Sequence, residues 1–273
     1  MLPPYASHHQ RRQERRRLVK LGRDALSGGF SSNLDDEIPV GVLLLLHDKL
    51  KEKANPNRAA EAAELAEQLL DRSNAAFERQ SDVACKRGCF HCCVTVVSVT
   101  PPEVFRIAAW LRRNRMHSPL MSPAAVAGRC EAKRNASLEA MFADKRPCPA
   151  LVDRECGLHP ARPIGCRQLL STSLPACIAS FGGADTPVPF VTGATDRGML
   201  AKLLLAGAMK SAGLPDVAYE LAGALACALA DEQAEQRWLA GEDVFAGALN
   251  TPRPQSNQDM IDRCVTLVER NGA

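Results

Sequence analysis

The sequence predicts a mainly α protein, a single helical domain with cysteine-rich loops and little or no short β. Three observations predict this. Apolar residues recur at helical spacing through several long stretches, β-branched runs are few, and the cysteines, prolines and glycines that do not fit a helix gather in two loop regions.

Taken in order, residues 1–33 are expected to form a basic, poorly ordered tail, and residues 34–273 the helical domain. Residues 1–24 hold seven Lys or Arg (Arg11, Arg12, Arg15, Arg16, Arg17, Lys20 and Arg23) against Glu14 and Asp24, with few apolar residues to pack. From Asp36 to Lys53 an apolar block (Val40, Val42 to Leu46, Leu50) predicts a helix that stops before Asn55-Pro56, since proline cannot continue it. Between Arg58 and Gln80, Ala62, Leu65, Ala66, Leu69, Leu70, Ala76 and Phe77 mark one face of an amphipathic helix, with Glu61, Glu64, Glu67, Asp71 and Arg72 on the others. Thr100-Pro101-Pro102-Glu103 combines a capping threonine, proline at the first helical position and a glutamate three residues after the cap, so a helix starts there. Ser122-Pro123 repeats the signal for a helix to about Phe142, and further helices are expected near 196–211, 215–239 and 257–269. Val94 to Val99 and Val188 to Thr192 are short candidates for extended chain. Ser81 to Cys93 and Arg146 to Gly183 read as loops.

Composition bounds the function. A chain of 273 residues, 46% hydrophobic and 24% charged, is ample for a core without disulfide staples. The longest apolar stretch, Val217 to Ala230, is interrupted by Glu220 and falls short of the roughly 20 residues a membrane span needs. The head has no apolar segment of a secretory signal, so the expected location is the cytoplasm. The net charge of +3 comes from that head; the remainder holds 27 basic and 29 acidic residues. A near-neutral body with only 12 aromatics argues against nucleic acid as a partner. No H-E-x-x-H, phosphate-binding G-x-x-x-x-G-K-S/T or G-x-S-x-G sequence is present to anchor a metalloprotease, nucleotidase or hydrolase reading.

The cysteines carry the chemical information. Eleven is an odd number, and disulfide frameworks belong to short secreted domains, which points to thiols or thiolate ligands. Cys130, Cys227 and Cys264 fall inside expected helices and read as packing residues. The other eight lie in the loops: Cys85, Cys89, Cys92 and Cys93 as C-x3-C-x2-C-C, then Cys148, Cys156, Cys166 and Cys177. Soft thiolate sulfur suits zinc and iron–sulfur clusters, and short intervening loops let neighbouring sulfurs converge. Adjacent Cys92 and Cys93 point apart, so the set fits two tetrahedral zinc sites, or one four-iron cluster with spare thiols; spacing leaves both open. A catalytic C-x-x-C dithiol at Cys89 to Cys92 lacks the surrounding βαβ pattern.

Cys85-Lys86-Arg87-Gly88-Cys89-Phe90-His91-Cys92-Cys93, then Cys148-Pro149, then Cys156 to Arg162-Pro163-Ile164-Gly165-Cys166-Arg167, resembles the YkgJ-type cysteine-cluster family, described as a zinc- or iron-chelating domain. The resemblance covers about residues 80–180. It implies Cys85, Cys89, Cys92, Cys93, Cys148, Cys156 and Cys166 as metal ligands, with loops organised by the metal. Cys177 is added as an eighth ligand from its loop position. His159 stands where the family usually has tyrosine and, like His91, is a packing residue or an added nitrogen donor. Arg162 and Arg167 are expected to donate hydrogen bonds or offset thiolate charge.

Three functions follow from this reading. The first is a metal-binding protein holding zinc or iron, the iron as ions or as a 4Fe-4S cluster. A similar cluster in flagellin lysine N-methylases implies, by resemblance, an iron–sulfur-dependent methyl-transfer enzyme. The third is a zinc-organised module that binds another protein.

Overall fold

The computed structural model describes residues 7–28, 33–80, 83–86, 88–114, 122–134, 139–140, 145 and 147–272. Its α-helices are α1 (His8–Gly28), α2 (Glu37–Lys51), α3 (Arg58–Gln80), α4 (Pro101–Asn114), α5 (Pro123–Arg134), α6 (Ile164–Arg167), α7 (Leu174–Gly182), α8 (Thr192–Ser211), α9 (Leu221–Ala230), α10 (Ala234–Leu239) and α11 (Gln255–Arg270). Two antiparallel strand pairs accompany them. β1 (Ser98–Val99) pairs with β4 (Tyr219–Glu220), Ser98 opposite Glu220, and β2 (Leu151–Val152) forms a hairpin with β3 (Glu155–Cys156). Among the described residues no helix is long and apolar enough to cross a membrane.

Helix α2 sits at the centre, packed by α1, α3 and α8, which explains why Val40 to Leu46 are buried around its whole circumference rather than along one stripe. Helix α3 answers with Ala59, Ala62, Ala63 and Ala66, small side chains that let the helices approach, and with fully buried Leu69 and Leu70. Each such leucine contributes about 2 kcal/mol through removal of its surface from water. Helix α4 continues the layer through Ile107 and Leu111 and meets α9, which carries α5 on its other side. An aromatic group closes this end: Phe105 lies 5.6 Å from Trp238 and 5.5 Å from Phe245, and Tyr219 lies 4.9 Å from Phe245, ring centre to ring centre. Helix α11 docks on α8, where Gly207 leaves the space that Cys264 fills. Cys130 and Cys264 are buried as expected of packing residues, while Cys227 is partly buried.

The helix starts follow their caps. Thr100 gives both its N–H and its hydroxyl to Glu103 Oε2, each at 2.8 Å, and Ser122 Oγ accepts from Ala125 N–H. Other expectations are corrected. The head is not a loose tail over His8–Gly28: it is α1, with Leu18, Val19 and Ala25 buried against the core and Gly22 backed directly on Gly41 of α2. Residues 1–6 and 29–32 of the expected tail lie outside the described residues, as does Phe142. The single helix expected over 215–239 is instead β4, α9 and α10. Glu220 pairs in the sheet and then caps α9, accepting from Gly223 N–H at 3.0 Å, so the chain cannot run helical through it. Of Val94 to Val99, only Ser98–Val99 pairs as a strand, and Val94 belongs to the His91–Val94 3-10 turn. Around Val188 to Thr192, Phe190 makes a single bridge to Ser171 before α8 begins. The second loop region contains a helix, α7, started by Ser173 Oγ accepting from Ala176 N–H and ended by Gly183 at φ 114°, a backbone angle that favours glycine.

Candidate functional site

After α3 the chain runs beside residues 169–171. Ala84 N–H donates to Ser171 O at 2.7 Å, Ser171 N–H donates to Cys85 Sγ at 3.2 Å, and the Cys85 thiol donates to Leu169 O at 3.5 Å. The chain then turns tightly: Cys89 N–H donates to Lys86 O at 3.0 Å, and Gly88 holds φ 88°, which a side chain would oppose. His91 N–H donates to Cys89 Sγ. In the 3-10 turn that follows, Cys93 N–H donates to Phe90 O at 2.9 Å. Three residues per turn would swing successive side chains about 120° apart, yet the thiols of Cys92 and Cys93 meet.

The second cysteine segment is tied to the first by its backbone. Cys148 N–H donates to Cys93 O at 2.6 Å, and Cys148 O accepts from Leu151 N–H at 2.9 Å as the β2–β3 hairpin begins. The two hairpin residues Asp153 and Arg154 take φ 49° and 65°, the left-handed pair of a tight two-residue turn, and the turn returns Cys156 opposite Leu151. Leu158 N–H donates to Cys156 Sγ. A 3-10 turn (His159–Ala161) and Pro163 then lead into α6, which carries Cys166. Helix α7 packs on the His91–Val94 turn and carries Cys177, 7% exposed.

The loop thiols neighbour one another in space. Cys85 feels the charges of Cys89, Cys92 and Cys177, and Cys89 those of Cys92 and Cys177. Cys93 feels Cys148 and Cys156, and Cys166 feels the same two. Cys92 stands at the junction, sensed from both groups. Burial pushes the Cys85, Cys89, Cys156 and Cys166 thiols up. The Cys93 thiol hydrogen-bonds to Cys92, bringing Cys92 down to about 7 and pushing Cys93 up. None of the eight is in a disulfide.

The two motif arginines have different tasks. Arg162 places positive charge beside Cys92 and Cys156, and its guanidinium meets His159 Nε2 at 2.6 Å, so that nitrogen accepts from the arginine rather than facing sulfur. Arg167 is buried and serves as a tie. It donates to Arg162 O at 2.6 Å, to Pro160 O at 2.9 Å and to Asp71, and it pairs with Glu67 at 2.9 Å. Glu67, expected on an outer face of α3, is 1% exposed and also pairs with Arg106 at 3.0 Å. Burial pushes its carboxyl up to about 8 against the pull of Arg167 and Arg106. Helical spacing gave no sign of this role, because the partners arrive from α4 and α6. His91 stacks on Phe90, ring centres 4.6 Å apart.

Among the described residues, no three Cys, His, Asp or Glu side chains are already gathered around one point as ion ligands would be. The donor set nonetheless suits a thiophilic metal: the thiols outnumber every other ligand type here, and amide N–H groups are aimed at three of the sulfurs. Comparisons with family models, curated proteins and solved structures found no match to this chain.

Proposed function

We propose that this is a metal-binding protein whose loop cysteines chelate zinc or iron, the iron as ions or as an iron–sulfur cluster. The observation that carries the reading is the backbone N–H donation to Cys85, Cys89 and Cys156 sulfur. A neutral thiol is a weak acceptor, whereas a thiolate, the form that binds metal, is a strong one; amides fixed on sulfur therefore match a thiolate site. Eight cysteines outside any disulfide, brought together from two distant segments, support the same reading, as does the resemblance in their motif. A bound zinc ion would cross-link the loops, and an iron–sulfur cluster would add a one-electron site.

A second reading, a zinc-organised protein-interaction module, is favoured by one feature. Leu174 and Ile178, one helical turn apart on α7 beside Cys177, are 36% and 49% exposed.

The test is metal analysis by mass spectrometry with an ultraviolet–visible spectrum, on protein purified without oxygen and without a metal-binding tag. Zinc with a colourless spectrum selects the zinc reading. Iron with matching sulfide and a broad band near roughly 400 nm selects the cluster. Protein that neither holds nor takes up either metal refutes the proposal.

A further inference from the structure

A cavity opens where the loop from Gly241 to Asn250 folds over β4. Buried Tyr219 of β4, Trp238 of α10 and Phe245 form its floor, and its volume of about 520 Å3 admits a small organic molecule. The rings pack on one another, Tyr219 and Phe245 at 4.9 Å between centres. Glu242, Asp243 and Leu249, also in the lining, are exposed and form the mouth. The loop is fixed at its far end, where Glu220 N–H donates to Leu249 O and Thr251 N–H to Ala218 O, each at 2.8 Å.

Two polar groups in this lining have capacity to spare. Tyr219 is 8% exposed, yet its hydroxyl makes no hydrogen bond among the described residues and is not sealed away from solvent. A phenol held that deeply ordinarily finds a partner. Asp243 commits one oxygen, Oδ1 accepting from Phe245 N–H at 3.1 Å, and makes no ion pair among the described residues. Glu242, by contrast, is taken up by Arg237 at 2.8 Å. Among the described lining residues none is Lys, Arg or His, so the charge facing the cavity is negative. Burial, with the Asp243 carboxylate close by, pushes the Tyr219 hydroxyl up and keeps it neutral.

We infer that this cavity is a binding site for a small protonated primary amine with an apolar or aromatic body. An ammonium group donates to the uncommitted oxygen of Asp243 and to the Tyr219 hydroxyl oxygen, satisfying both spare acceptors at once. The rings of the floor favour a cation and offer apolar surface to the rest of the molecule. An anion would meet Asp243 and Glu242 with no opposing charge in the described lining. The site uses none of the loop cysteines, so it stands whether or not they bind metal.

The test is calorimetric titration of the full chain at about pH 7 with phenethylamine, 2-phenylethanol and 3-phenylpropanoate, which share a ring and differ in charge. The amine is expected to bind at a single site, with the alcohol at least about tenfold weaker and the carboxylate weaker still. Asp243→Asn keeps an oxygen for the Phe245 N–H, so the loop is retained; it is expected to weaken the amine about tenfold and leave the alcohol within about twofold. Tyr219→Phe removes only the spare hydroxyl and is expected to weaken the amine about fivefold. Equal affinity for amine and alcohol, or an amine affinity untouched by Asp243→Asn, overturns the assignment. So does the absence of saturable amine binding up to about 10 mM.

Discussion

Glu103 of α4 and Ile164 of α6 are joined by a buried hydrogen bond, Ile164 N–H donating to Glu103 Oε1 at 2.9 Å. The other carboxylate oxygen caps α4 by accepting from Thr100 twice, and the residue is wholly buried. One side chain thus starts its own helix and positions the helix that bears Cys166. Glu103→Ala leaves three donors without their acceptor and is expected to cost about 2–4 kcal/mol in urea denaturation. A variant as stable as the parent would dismiss the shared cap.

Arg167 is expected to resist even a conservative change. Arg167→Lys keeps the charge but not the planar fork that reaches Glu67, Asp71 and two carbonyls at once, and leaves buried Glu67 with Arg106 alone. A loss of about 3 kcal/mol is expected by thermal or chemical unfolding. Equal stability of Arg167→Lys would mean the tie contributes little.

Glu235 supplies a pH dependence. It is buried and accepts from Ala59 and Ala60 N–H at 2.9 and 3.0 Å at the start of α3, and burial pushes its carboxyl up to about 7. The folded state therefore holds a proton that the unfolded chain has already released. Stability from this group is fully present below the ordinary carboxylate range and is lost as pH rises through about 7. Glu67 shifts stability in the same direction, so the readout is a difference. Glu235→Gln keeps an acceptor oxygen and is expected to shrink the fall in unfolding free energy between pH 5 and pH 8, read by urea denaturation, by up to about 3 kcal/mol. An unchanged fall in the variant would count against the assignment.

The packing of α1 can be tested at Gly41. A methyl group there would overlap the Leu18 carbonyl of α1, and backbone cannot move aside as a flexible side chain can. Gly41→Ala is expected to cost about 1–3 kcal/mol and to speed tryptic cleavage at Arg16 and Arg17. Cleavage as slow as in the parent would show that α1 tolerates the added carbon.

Cysteine substitutions separate ligands from packing residues. Cys89→Ser and Cys92→Ser are expected to lower bound metal and loosen the loops, while Cys264→Ser, buried between α8 and α11, leaves metal content unchanged. Equal metal in all three proteins would refute the ligand assignment.

Much of the helical framework was legible because its signals are local. The Thr100 to Glu103 cap, the stop at Asn55-Pro56 and the periodic faces of α3 and α11 act over a few residues, and the structure keeps them. Helix α1 was missed because its apolar positions, Leu18, Val19 and Ala25, are too few to mark a helix without the surface of α2 that covers them. The span after Val217 was misread because the pairing of Tyr219–Glu220 with Ser98–Val99 depends on a strand more than a hundred residues earlier.

The sequence by itself determined that the chain is mainly helical and where its eleven cysteines fall along it, since periodicity, caps and spacing are properties of neighbouring residues. Only the tertiary structure decided which thiol lies beside which. Cys177 reaches Cys85 and Cys89 through the docking of α7, and Cys166 reaches Cys148 and Cys156 through a helix tied down by Glu103, Glu67 and Asp71. Proximity of that kind is set by long-range packing and buried charge pairing, and spacing along the chain does not encode it.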